Sequence, residues 1–200
     1  MRILKNRPVP TVLLFLIVLG IGGCGNPLFR PDPVQYMGLS EDQRTSPNPI
    51  APLIKHAYAI DRGPYGTVLK IYLEAEDPNG DMDEIVTQVH QSGYGNYFPD
   101  LILLKPQHTK SFKGFIQWNT YSSKATSLNE WTWVTVRVFV VDKKGLASNA
   151  FEFPFTFVTG TGKVLPPPAP FDHGDLPKIG SVSIDLYNPY LMGGGAGDYK

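Results

Sequence analysis

The chain has one cysteine in 200 residues, at position 24. A single thiol cannot close an internal disulfide, so a fold stapled by cross-links is excluded. Histidines are also sparse: His56, His90, His108 and His173 stand apart, with no H-x-H or H-E-x-x-H pair. That spacing offers no local zinc motif. No G-x-S-x-G elbow occurs, and Ser92-Gly93-Tyr94-Gly95 is not one. Gly93 and Gly95 have no Lys or helix start behind them, as a phosphate-cradling loop needs. Charge of either sign is not in surplus: 18 Lys and Arg face 18 Asp and Glu. Without a basic cluster there is no electrostatic case for gripping nucleic acid. A sustained 3.6-residue apolar period, the mark of an amphipathic helix, is missing throughout. Together these absences predict a non-catalytic protein with no cofactor and no bound metal.

Long apolar runs are missing as well. The longest, 12–19 extended by Gly20 and Ile21, is about ten residues, where a spanning helix needs about 20. It suits the apolar part of a secretion signal, because Arg2, Lys5 and Arg7 precede it and small residues follow. Its end, Ile21-Gly22-Gly23-Cys24, resembles the lipobox of bacterial lipoproteins: an aliphatic residue, two small ones, then cysteine. The resemblance implies cleavage before Cys24, diacylglycerol on its thiol and a further acyl chain on the new amino group. At about 0.8 kcal/mol per buried methylene, such chains anchor far more firmly than one myristate. It also implies a place in the cell envelope, on a membrane facing the exterior or periplasm. Gly25, where an inner-membrane retention signal has Asp, favours the outer membrane if the cell is Gram-negative. Removing residues 1–23 takes three of the 18 bases and no acid, leaving 15 against 18.

What the chain has in plenty is proline, glycine and alternation. Pro27, Pro31, Pro33, Pro47, Pro49 and Pro52 punctuate residues 24–52, which read as a semi-extended tether behind the lipidated cysteine. Residues 53–159 read as strands with a period of two. Leu69, Ile71, Leu73 and Ala75 share a face of 68–75, and Ile85 and Val89 share one in the next strand. Segments 101–104 and 112–118 are two more candidates. In 131–141, Val134, Val136, Val138 and Val140 line one face; in 151–157, Phe151, Phe153, Phe155 and Phe157 do the same. Pro154 cannot donate to a ladder, so that last strand is expected at an edge or bulge. About seven short strands predict an antiparallel β-sandwich. Residues 160–200, with Pro166-Pro167-Pro168 and Gly193-Gly194-Gly195, read mostly as a disordered tail. The competing reading adds 180–188 as a strand to a sheet edge, the chain's own or a partner's.

Two stretches support a family. "LEAEDPNGDMDEI" at 73–85 and "VRVFVVDKKGLAS" at 136–148 are similar to the second-strand and sixth-strand signatures of bacterial immunoglobulin-like domains, cadherin-like and polycystic-kidney-disease-type repeats among them. The resemblance implies an all-β, antiparallel immunoglobulin-like sandwich, to which composition adds disordered arms. It says nothing of activity, since such sandwiches serve adhesion, scaffolding and sugar binding alike. The acidic turn Asp77, Asn79, Asp81, Asp83 and Glu84 offers oxygen ligands for calcium. Yet Gly80 comes too early for an EF-hand loop, the twelfth position is Gln88, and Lys143 and Lys144 follow Asp142. A solvated turn whose carboxylates bond backbone amides is therefore expected.

Candidate binding residues are aromatic. Tyr94, Tyr97 and Phe98 crowd a glycine-containing connection, while Trp131, Trp133 and Phe139 lie opposite the valine face. Exposed Tyr and Trp are enriched at interfaces, because a rigid ring buries much area at small entropic cost. The sequence thus predicts a lipid-anchored accessory subunit that binds an envelope protein through these rings. The alternative is a surface module stacking the same rings on a glycan.

Overall fold

The computed structural model describes residues 50–160 and 166–189. The signal segment 1–23, Cys24 and the tether as far as residue 49 lie outside the described residues.

The strands are β1 (Leu53–Tyr58), β2 (Arg62–Gly63), β3 (Val68–Glu76), β4 (Met82–Gln91), β5 (Gly95–Asn96), β6 (Asp100–Leu103), β7 (Ser111–Asn119), β8 (Trp133–Asp142), β9 (Phe151–Phe157) and β10 (Lys178–Val182). A short 3-10 turn, Pro106–His108, precedes β7. One sheet has the order β1-β3-β7-β10; the other runs β2-β9-β8-β4-β5, with β6 also paired to β4. The protein is an all-β sandwich.

Alternation explains why these segments are strands and which face each buries. Leu69, Ile71 and Leu73 on β3, Ile116 and Trp118 on β7, the four valines of β8 and Phe155 and Phe157 on β9 meet in one core. Each fully buried aliphatic or aromatic side chain contributes about 1.5–3 kcal/mol. Pro154 behaves as expected of an edge. Phe157 N–H donates inward to Thr132 O, while Thr156 and Val158 N–H donate outward to Asp61 and Gly63 O. Position 154 shares the outward parity of Thr156 and lies before β2 begins, so its missing N–H interrupts no ladder.

Two expectations need correction. The sandwich is mixed rather than wholly antiparallel, since β2–β9 and β10–β7 are parallel. Nor is the tail disordered across 166–189. There β10 adds to the chain's own sheet, at its edge beside β7. Ile179, Val182, Ile184 and Leu186 complete the core. The buried Trp118 Nε1–H donates to Ile184 O at 2.9 Å. Glycine makes the approach fit: a Cβ on Gly114 would lie 2.8 Å from Ile179 Cδ1 and run into Pro177 O, and one on Gly180 would run into Ile102.

Candidate functional site

The two motif turns come first, because they carry the acids. Asp77 is buried at the end of β3, and its carboxylate accepts from Asn79 N–H (3.0 Å) and Asp81 N–H (2.9 Å). Asp142 Oδ1, at the end of β8, accepts from Lys144 and Leu146 N–H, both at 2.8 Å. The turns are bolted together by Lys143 N–H donating to Asp81 O (3.0 Å) and by Lys144 Nζ, 3.2 Å from Asp81 Oδ2. Gly80 (φ 72°) and Gly145 (φ 77°) supply the left-handed residues these turns need. Burial pushes the Asp77 and Asp142 carboxyls above the usual carboxylate range, and Glu84 likewise. Among the described residues, nothing hydrogen-bonds the buried Asp81 Oδ1 and Asp142 Oδ2. Among the described residues no group of three or more His, Cys, Asp or Glu side chains is arranged to hold a metal ion. The acidic stretch thus does the work of turns and of joining β3–β4 to β8–β9.

The six aromatic candidates separate into four places. Trp131 and Trp133 are both on the surface, 69% and 41% exposed. Trp133 starts β8 on its outward face, where the His90 ring lies 5.5 Å away. Trp131 is the only non-glycine among the described residues with a positive φ, 70°. It is held there by its N–H, which donates to Phe157 O at 2.8 Å, while Thr132 N–H donates to Asn129 O. A bulky residue in that region is strained by about 1–3 kcal/mol.

Tyr94 and Tyr97 are elsewhere engaged. Their rings stack at 4.7 Å, and Tyr187 from the C-terminal segment stacks on Tyr94 at 5.1 Å, nearly parallel. Tyr97 Oη donates to Gln91 Oε1 and accepts from Tyr187 N–H at 2.9 Å; Gln91 Nε2 donates to Tyr187 O at 2.7 Å. Burial raises the Tyr97 phenol well above its ordinary value. Tyr97 is therefore a latch for the chain's own tail, not an open contact. Its turn still meets Trp133, since Ser92 N–H donates to Trp133 O (2.9 Å) and Trp133 N–H to Ser92 Oγ (3.1 Å). Phe139 is buried outside the main core with Val86 and Val141.

Phe98 leaves the stack and leads into β6, where it is 94% exposed. The sequence pattern did not single out its neighbours Leu101 and Leu103, which are also exposed; alternation in four residues marks a strand without saying which face is covered. Also unanticipated is a cleft of about 260 Å³ on the outer face of the first sheet, among Tyr72, Phe115, Phe171, Lys70, Asp172 and Asp175. Tyr72 stands 5.7 Å from Phe115 and 5.6 Å from Phe171, with Lys70 Nζ 4.5 Å over the Phe115 ring. Its third wall comes from the segment expected to be disordered, which is why the local pattern gave no signal for it. No family model matches the chain, and no curated protein matches it.

Proposed function

We propose that the chain is a lipoprotein of the cell envelope, anchored through acylated Cys24, that serves as a non-enzymatic binding subunit. Its contact surface is built on Trp131 and Trp133. The observation that carries the reading is Trp131, which presents an exposed indole from a backbone conformation that disfavours it. Strain of that kind persists where surrounding structure over-determines it, and it concentrates at ligand clamps and switch regions. Trp133, His90 and the Tyr94 turn extend the surface. The strand order supports an immunoglobulin-like domain, a scaffold that presents surfaces from its ends and faces.

The test is affinity capture from membranes by the full lipidated chain and by Trp131→Gly, with recovered proteins compared by mass spectrometry. The expected result is an envelope protein held by the parent and lost from the variant, with folding intact. Equal recovery by both would remove Trp131 from the contact.

A carbohydrate-binding role is the second reading, and the cleft favours it. Rings of Tyr72 and Phe115 offer flat apolar faces, while Asp172, Asp175 and Lys70 bring acceptors and a donor for hydroxyl groups. A glycan array read with Tyr72→Ala and Trp131→Gly separates the two: sugar binding lost only in Tyr72→Ala supports the cleft.

A further inference from the structure

The two ends of the sandwich differ in how they dispose their charges. One end holds Ile50, through which the chain leads back to Cys24, and the connections 77–81, 104–110 and 143–150. Hydrogen bonds tie these into one surface. Asn79 Nδ2 donates to Ile50 O at 3.1 Å, and Asn149 Nδ2 to Ile54 O at 3.0 Å. Asp77 N–H donates to Lys110 O (2.9 Å), Met82 N–H to Thr109 O (3.0 Å) and Leu104 N–H to Asp83 O (2.8 Å). The opposite end holds Trp131, Trp133 and the Tyr94 turn. The ten residues of β8, Trp133–Asp142, run from one end to the other, a span of about 30 Å.

At the Ile50 end the free charges on the surface are lysines. Lys105, Lys110 and Lys143 are exposed, and among the described residues none has an ion-pair partner. The acids of this end are buried or paired. Asp77, Glu84 and Asp142 are buried, Asp81 pairs with Lys144, Glu76 pairs with Lys55, and Asp83 is half-buried. Ile50, Leu53 and Leu103 add exposed aliphatic side chains to the same end. The other end is different. Its Arg62 and Lys124 each sit beside an exposed aspartate, Asp61 and Asp185, and Glu130 is exposed as well. Free lysines beside open aliphatic side chains suit a bilayer surface, where anionic headgroups cover acyl chains.

We propose that the Ile50 end rests on the anionic bilayer that holds the acyl chains, so that Trp131 and Trp133 face away from the membrane. This orientation rests on the anchoring proposed for Cys24. Residues 25–49 join Cys24 to this end of the sandwich and not to the Trp131 end. A contact made within an anchored chain is intramolecular, so weak attraction suffices. Each lysine near an anionic surface favours contact about fivefold, and three together about a hundredfold. The inverted pose would press Glu130 and Asp185 against headgroups of their own sign and cover the Trp131 surface.

The test places the full lipidated chain in phosphatidylcholine vesicles with and without phosphatidylglycerol. Gln107→Cys, between Lys105 and Lys110, and Ser123→Cys, at the opposite end, each carry a fluorophore on the added thiol. Brominated lipid quenches a fluorophore that touches the bilayer, so flotation reports the anchor and quenching reports the contact. The expected result is flotation of every chain, with quenching at 107 and none at 123 on anionic vesicles. That quenching should be lost in high salt, on neutral vesicles, and in the triple variant Lys105→Glu, Lys110→Glu, Lys143→Glu, which still floats. A floated chain unquenched at 107, equal quenching at both positions, or quenching untouched by the charge reversal would overturn the orientation alone. A parent that does not float would sink the anchor, and with it the bilayer named here.

Discussion

Trp131 separates stability from binding more cleanly than any other side chain here. Glycine at that position accepts φ 70° without cost, so Trp131→Gly should raise unfolding stability by about 1 kcal/mol while abolishing partner capture. Urea denaturation with the capture assay reads both; a destabilised variant would show that the indole packs instead of projecting. Asp142 gives a second test at the same scale. Its folded carboxyl is held above the ordinary Asp value by burial, as are Asp77 and Glu84. The native state therefore binds protons more readily than the unfolded chain between the two values. The contribution of these groups grows as pH falls through their raised folded pKa values, is complete below about 4, and is lost again on return to neutral. Asp142→Asn keeps an oxygen for the Lys144 and Leu146 amides and removes the buried charge. It should be at least as stable as the parent at pH 7 and gain less on acidification, measured by denaturant midpoints at pH 7 and pH 4.5.

At the scale of elements, β10 is held by its ladder to β7 and by close backbone approach, and the segment after it by a buried hydrogen bond from Trp118. Gly114→Ala puts a methyl where Pro177 O and Ile179 lie, an overpacking worth about 1–3 kcal/mol. Hydrogen exchange should quicken first in 178–186, while β3 and β8 stay protected. Trp118→Phe leaves Ile184 O buried and unpaired, with a loss of about 1–3 kcal/mol. Much of this architecture was legible in the sequence. The valines of β8 and phenylalanines of β9 alternate so strictly that strand, face and the edge position of Pro154 follow from the period. The motif turns could be read too, since Asp77 and Asp142 bond amides two and four residues ahead. β10 was harder. Local alternation at Val182, Ile184 and Leu186 allowed a strand, but nothing nearby names β7 as its neighbour or makes the pairing parallel. The aromatic site shows the same limit. Tyr97 and Trp131 both lie near turns and looked alike as exposed rings. What sets them apart is Tyr187, 90 residues from Tyr97, which occupies one and leaves the other free.

For the whole molecule, residues 166–189 belong to the sandwich. Removing them would expose the core under Trp118 and delete five buried apolar side chains, Phe171, Ile179, Val182, Ile184 and Leu186, each worth about 1.5–3 kcal/mol. That sum consumes most of a typical domain's 5–15 kcal/mol, so a chain ending at 165 should fail to give a cooperative thermal transition. Such a domain binds usefully only if it is held where its partner is, which is the role proposed for acylated Cys24. The direct measurement is mass spectrometry of the N-terminal peptide from the native membrane-bound protein. A chain beginning at Cys24 and carrying acyl groups is the predicted result; residues 1–23 still attached, or an unmodified thiol at position 24, would contradict it.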